Sequence, residues 1–76
     1  MPYIAIKSLP RDDEKKRELA EKINEVMIEV WGCPPQAVTI SIEDIASDDW
    51  QEKVQKPEID AHPEIMLIVS GKKTYE

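Results

Sequence analysis

Apolar and polar residues alternate from Tyr3 to Ser8, with Ile4 and Ile6 on one side and Tyr3, Ala5 and Lys7 on the other, which is the period of a half-buried β-strand. Leu9-Pro10 ends it. The period then lengthens: Leu19, Ala20, Ile23, Val26, Met27, Val30 and Trp31 recur at spacings of three and four, which predicts an amphipathic helix of about five turns. Asp12, Asp13 and Glu14 supply an N-cap and first-turn acids, and Gly32 followed by Pro34 and Pro35 marks the stop, because neither proline can continue a helix. Alternation resumes from Val38 to Ile45, where Val38, Ile40 and Ile42 oppose Thr39, Ser41 and Glu43 in a second strand.

Two strands joined by a helix of this length form a βαβ unit, so the pair is expected to be parallel with a right-handed crossover. Beyond it, Ala46-Ser47-Asp48-Asp49 is turn and cap chemistry, and Trp50 to Val54 predicts a short helical turn that stops before Pro57. Ile65 to Val69 is a continuous apolar run whose length fits a short strand buried on both faces, ended by Ser70-Gly71. One helix covers one face of a two-stranded sheet, and a second subunit is the natural lid for the other. The expected architecture is a single α+β domain over residues 1–76. In it two βαβ units from two subunits join into a four-stranded sheet, and a trimer of such dimers stays open.

Length and charge narrow the classes. A chain of 76 residues with one cysteine, Cys33, and no Cys/His cluster has neither disulfide nor metal to staple it, which leaves self-association as the main extra source of stability. Sixteen acidic residues against ten Lys and Arg give a formal net charge of −6, which repels a nucleic-acid backbone. No basic leader precedes a long apolar run and no stretch approaches a membrane span, so the expectation is a cytoplasmic protein that binds neither nucleic acid nor membrane.

Candidate chemistry is sparse. His62 lies in Asp60-Ala61-His62-Pro63, a surface-turn sequence that favours a solvated loop residue over a general base, and Cys33 follows the helix stop, where a structural role is favoured. There is no glycine-rich phosphate loop, and no cofactor is expected. Position draws attention to Pro2. A Met-Pro start carries a small second residue, for which initiator methionine is usually excised, and excision would leave a prolyl secondary amine. An α-amino group titrates near about 7.7–8.0, and desolvation and a nearby cation both favour its neutral form, so a prolyl amine in a pocket can act as a base near neutral pH. The alternative is that Met-Pro is merely a common start.

Pro2 does not stand alone. The segments Pro2-Tyr3-Ile4-Ala5-Ile6-Lys7 and Pro10-Arg11-Asp12-Asp13-Glu14-Lys15-Lys16-Arg17-Glu18-Leu19 resemble the opening strand, turn and helix of the 4-oxalocrotonate tautomerase family, and the resemblance runs over residues 2 to 54. It includes Asp13, Glu14 and Lys16, the Pro34 region, the second strand and an aromatic residue after it. It implies a cofactor-independent isomerase in which Pro2 moves a proton to shift a double bond beside a carbonyl. It implies that Arg11, whose planar fork suits a carboxylate, holds a substrate anion beside the Pro2 nitrogen; the alternative is a solvated arginine near a helix start. Trp50 would be a pocket wall that excludes water, with a core or interface anchor equally open, and the backbone near Ser8 and Leu9 would help bind an oxyanion.

Thr39 departs from the pattern, since it stands where 4-oxalocrotonate tautomerase carries a polarising arginine. A diacid substrate is thereby disfavoured. Asp49-Trp50-Gln51-Glu52-Lys53 and the tail from residue 55 to 76 resemble a subgroup that lacks that arginine, in which dimers and activity toward simpler enols such as phenylenolpyruvate are known. The tail would then serve oligomerisation, with a dimer favoured and small carbonyl or enol acids such as 2-hydroxy-2-enoates as substrates. Two other readings stand beside this one: a non-catalytic oligomer that binds small ligands, and a hydratase or dehalogenase in which Glu43 or Asp44 activates water. If Met1 stays attached, the Pro2 nitrogen is an amide and no base exists.

Overall fold

The computed structural model describes residues 1–75 and divides them into two compact units, which meet in sequence between Ala46 and Ser47. The first unit is a βαβ unit: β1 (Tyr3–Ser8), α1 (Asp13–Trp31) and β2 (Thr39–Asp44). The strands run parallel, in a register that sets Tyr3 opposite Thr39, Ile4 opposite Ile40, Ile6 opposite Ile42 and Ser8 opposite Asp44. The expected α+β class and parallel pairing are both observed.

Local chemistry explains the ends of α1. The Asp12 carboxylate accepts from the Lys15 backbone N–H at 2.7 Å, satisfying a donor that the first turn leaves unpaired, and Asp13 and Glu14 complement the positive end of the helix dipole. At the other end Gly32 takes a left-handed conformation (φ 71°, ψ 26°) and donates its N–H to the Ile28 carbonyl at 2.9 Å. Asp12→Ala is expected to lower the unfolding free energy by about 1 kcal/mol, read from urea denaturation, because it removes this cap and nothing else in the first turn replaces its oxygen.

The apolar stripe of α1 is wider than its sheet. Ala20, Ile23 and Met27 are partly buried, whereas Leu19, Val26, Val30 and Trp31 are exposed. The seven residues expected to pack together therefore differ in burial along one stripe. Ile6 and Ile42 line the same hollow as Leu19, and Ile40 and Ile42 the same one as Ala20, so the isoleucines of both strands face the helix. The opposite sheet face carries Tyr3, Ala5, Thr39, Ser41 and Glu43, all exposed, with the Tyr3 hydroxyl 3.2 Å from Ser41 Oγ. That face is more polar than a lid of apolar side chains requires. Exposed apolar side chains in this unit include Leu19, Val26, Val30 and Trp31 of α1 and Tyr3 on the sheet.

The second unit corrects two expectations. Helical structure does not stop before Pro57. After a 3-10 turn at Ser47–Asp49, a π-helical segment runs from Gln51 to Asp60 with Pro57 inside it. Proline is excluded from an α-helix because its ring strikes the carbonyl four residues back and it has no N–H to donate. The chain passes Pro57 in the wider turn, whose hydrogen bonds reach five residues back.

The apolar run from Ile65 to Val69 is likewise not a buried five-residue strand. Pro63–Ile65 forms a 3-10 turn, and only Ile68–Val69 (β3) pairs, antiparallel, with Lys72–Lys73 (β4). Ser70 and Gly71 both have positive φ (50° and 81°), the arrangement of a tight two-residue hairpin turn, so the strand has its partner immediately after it. Thr74 closes the hairpin, its N–H donating to the Leu67 carbonyl and its hydroxyl to that of Met66. Ile65, Leu67, Ile68 and Val69 are exposed. Among the described residues no helix is long and apolar enough to cross a membrane.

Candidate active site

The register of β1 and β2 decides which candidate residues share a place. The Pro2 carbonyl accepts from the Thr39 N–H at 3.1 Å, extending the parallel ladder by one bond, so Pro2 and Thr39 lie together at the start of the sheet. Pro2 is partly buried, and Met1 before it is fully exposed. Leu9 and Arg11 lie at the other end. There the Ile45 N–H donates to the Ser8 carbonyl at 2.8 Å, and Ser8 Oγ donates to the Leu9 carbonyl at 3.0 Å.

Six strand residues at about 3.3 Å each put roughly 17 Å between Tyr3 and Ser8. Pro2 and Arg11 of one chain are thus carried to opposite ends of the same strand. A recess that contains both would have to draw them from different copies.

Arg11 lines a cleft of about 370 Å³ with Ile6, Ser8, Lys15, Lys16, Leu19 and Ile42. Its floor is apolar and its rim cationic, although the lysines are partly neutralised: Lys15 Nζ is 3.7 Å from Glu18, and Lys16 Nζ is 2.7 Å from Asp44. The hydrogen bond from the Lys16 ammonium, helped more weakly by its charge and by the Arg11 backbone N–H, outweighs desolvation and holds the Asp44 carboxyl below its usual 3.8. A carboxylate with a depressed folded pKa contributes stability above its unfolded value and loses it as pH falls through the folded one. The stability difference between wild type and Asp44→Asn, measured by urea denaturation, is therefore expected at neutral pH and should vanish well below pH 3.8.

Asp44 was weighed above as a water activator. It sits at the end of β2 away from Pro2 of its own chain, with its carboxylate engaged by Lys16, and Glu43 pairs with Lys7 one step back along the ladder.

Trp50 belongs to the second unit. It is partly buried just before the π-helical segment, and its indole N–H donates to Gln55 Oε1 at 3.4 Å while Gln55 Nε2 donates to Asp60 at 3.0 Å. His62 is an exposed loop residue, its Nδ1 3.6 Å from a Glu64 oxygen, and Cys33 is a half-buried free thiol.

Sequence reasoning missed the pairing of Lys16 with Asp44. Its signal was present: Lys16 falls four residues before Ala20 on the sheet-facing side of α1, where a half-buried ammonium needs a carboxylate, and the strand end supplies one.

A sequence profile of the tautomerase enzyme family matches residues 2–56, so the match opens on Pro2 and spans the whole βαβ unit and Trp50. The chain belongs to the tautomerase family. A probable tautomerase of Xylella fastidiosa is 34% identical over 72 residues, which cover 93% of this chain and 88% of that protein. The 2-hydroxymuconate tautomerase of Bacillus subtilis is 37% identical over 51 residues, 66% of this chain and 82% of that one. Among solved structures, one of the 4-oxalocrotonate tautomerase isozymes from Methylibium petroleiphilum superposes with a TM-score of 0.61 at 32% identity, covering 64% of this chain and 81% of that one. This tautomerase is accordingly an isomerase that acts on small molecules, as its sequence resemblance implied.

Proposed function

We propose that this tautomerase converts small 2-hydroxy-2-enoate or enolpyruvate-type acids to their keto forms, with Pro2, freed by removal of Met1, as general base and acid. The observation that carries the reading is the position of Pro2: it is the first residue of the family match and is held at the start of β1 by its bond to Thr39. In the proposed step the Pro2 nitrogen accepts the enol hydroxyl proton as the C=O bond forms and the C=C electrons move to the neighbouring carbon. That carbon then takes the proton back from the prolinium. No net electron transfer occurs and the base is regenerated.

Arg11 holds the substrate carboxylate through paired N–H donors. Since Pro2 and Arg11 of one chain sit at opposite ends of β1, the site joins Pro2 of one copy to Arg11 of another, so the working form is an oligomer. A dimer in which two βαβ units share a four-stranded sheet suffices, and the exposed apolar residues of the tail, Ile65, Leu67, Ile68 and Val69, are available to assemble it. Trp50 walls the pocket against water, and the backbone at Leu9 contributes to oxyanion binding. Thr39, beside Pro2, offers a hydroxyl and no charge, so a monocarboxylate is preferred to a diacid.

The test is steady-state turnover of phenylenolpyruvate and of 2-hydroxymuconate, followed by ultraviolet absorbance, with protein whose intact mass shows Met1 removed. Ketonisation above the uncatalysed rate is expected, faster for phenylenolpyruvate. Absence of turnover with both would overturn the reading.

A further inference from the structure

We propose that Asp44 is a positioning residue for the site, acting through Arg11 by fixing the loop that carries it; the proposal rests on the reading of Arg11 as the holder of the substrate anion. That loop, residues 9–12, joins β1 to α1 and is exposed along its whole length. An arginine on such a loop would ordinarily sample many orientations, and ordering it on binding would weaken affinity.

Three fixings oppose that freedom. Downstream of Arg11, the Asp12 carboxylate accepts from the Lys15 N–H at 2.7 Å and the Asp12 carbonyl from the Lys16 N–H at 3.2 Å, which anchors the next residue to the helix. Upstream, the Ser8 carbonyl is tied to the Ile45 N–H at 2.8 Å. Between them, at the end of β2, the Asp44 carboxylate draws in the Lys16 ammonium from the second turn of the helix, and the Arg11 N–H acts on the same carboxyl only weakly.

The same carboxylate takes the Lys16 ammonium at 2.7 Å, with the Lys16 side chain only 19% exposed and that of Asp44 40% exposed. One anion at the end of β2 thus pins the first turns of α1, and with them the downstream end of the loop. Pro10, which has no N–H, can contribute no donor of its own just before Arg11. An uncharged group at position 44 could accept one hydrogen bond but would leave the largely buried Lys16 ammonium with only the more distant Asp13 carboxylate at 3.9 Å, so the residue type matters as well as its place.

The consequence falls on binding rather than on proton transfer, because the Asp44 carboxylate is engaged by Lys16 and acts through the loop. Asp44→Ala and Lys16→Met are each expected to raise KM for phenylenolpyruvate about 5-fold, with kcat within about twofold, as expected for loss of preorganisation. Asp44→Glu should recover part of the effect. The Arg11 amide, followed by NMR hydrogen exchange, should exchange faster in Asp44→Ala than in wild type.

The decisive comparison is made in an Arg11→Ala background, where both substitutions should have no further effect on KM. If Asp44→Ala raises KM by the same factor with or without Arg11, Asp44 acts by another route and the proposal is overturned. If Arg11→Ala raises KM while Asp44→Ala and Lys16→Met leave it unchanged, this proposal fails and the role of Arg11 stands. If Arg11→Ala itself leaves KM unchanged, both fall. Should Asp44→Ala not fold, Lys16→Met, which leaves the carboxylate in place, carries the same comparison.

Discussion

Pro2→Ala, assayed in protein from which Met1 has been removed, is expected to lose about 10²- to 10⁴-fold in kcat/KM, the range that positioned proton transfer contributes. In activation free energy this is about 2.7–5.5 kcal/mol. The substitution is informative because the fold uses Pro2 only lightly: its observed tie to the sheet is the carbonyl that accepts from Thr39, and alanine has the same carbonyl. Circular dichroism and oligomer mass should therefore be unchanged. What alanine alters is the nitrogen, from a ring-fixed secondary amine to a primary amine on a freely rotating bond. Wild-type chain that retains Met1 should be less active still, because an amide nitrogen has its lone pair delocalised into the carbonyl and is no base. The expected order of rates is Met1-free wild type, then Pro2→Ala, then Met1-retaining protein. Equal rates for the first two would remove Pro2 from the mechanism.

How far the sequence disclosed this arrangement depends on how local the determining physics is. Asp12 and Gly32 bracket α1 as expected because caps are settled by bonds within one turn. The alternation of Ile4 and Ile6 against Ile40 and Ile42 was legible because a strand with one covered face must repeat every second residue. Pro57 misled because the rule against proline presupposes α-helical geometry, and a π-helical segment relaxes it. Ile65 to Val69 misled because apolar composition does not say what will pair with a strand; the chain turns back at Ser70-Gly71, and Ile68 and Val69 pair with Lys73 and Lys72. The stripe from Leu19 to Trp31 was correctly periodic, but periodicity does not divide a stripe between a sheet of the same chain and a surface left open. The candidate site depends on longer-range placement. Pro2 and Arg11 are nine residues apart in sequence, and a contact between them in one chain is easily imagined, yet a parallel strand carries them to opposite ends. The strand length alone, Tyr3 to Ser8, already implies the separation, and the bonds of Pro2 to Thr39 and of Ser8 to Ile45 show which end of the sheet each residue occupies.

That separation makes Arg11→Ala a sharper probe than an ordinary binding variant. Loss of a charge-assisted hydrogen-bonding pair to a carboxylate is worth about 1.5–3 kcal/mol, so KM is expected to rise about 10- to 100-fold, and Arg11→Lys, which keeps the charge but not the planar fork, should fall between. In the proposed site Pro2 and Arg11 come from different copies, so two variants that are each defective can complement one another. When Pro2→Ala and Arg11→Ala proteins are unfolded together at equal concentration and refolded, a site is intact only if its Pro2 comes from the second variant and its Arg11 from the first. Random reassociation gives that combination in about a quarter of sites, for a dimer and for a larger ring of dimers alike. Recovery of activity toward about a quarter of wild type is therefore expected, measured at a substrate concentration where each parent is nearly silent. If both residues served one pocket within a single chain, mixing would restore nothing, since every chain in the mixture lacks one of the two. A mixture no more active than the mean of its parents would exclude a site built between copies.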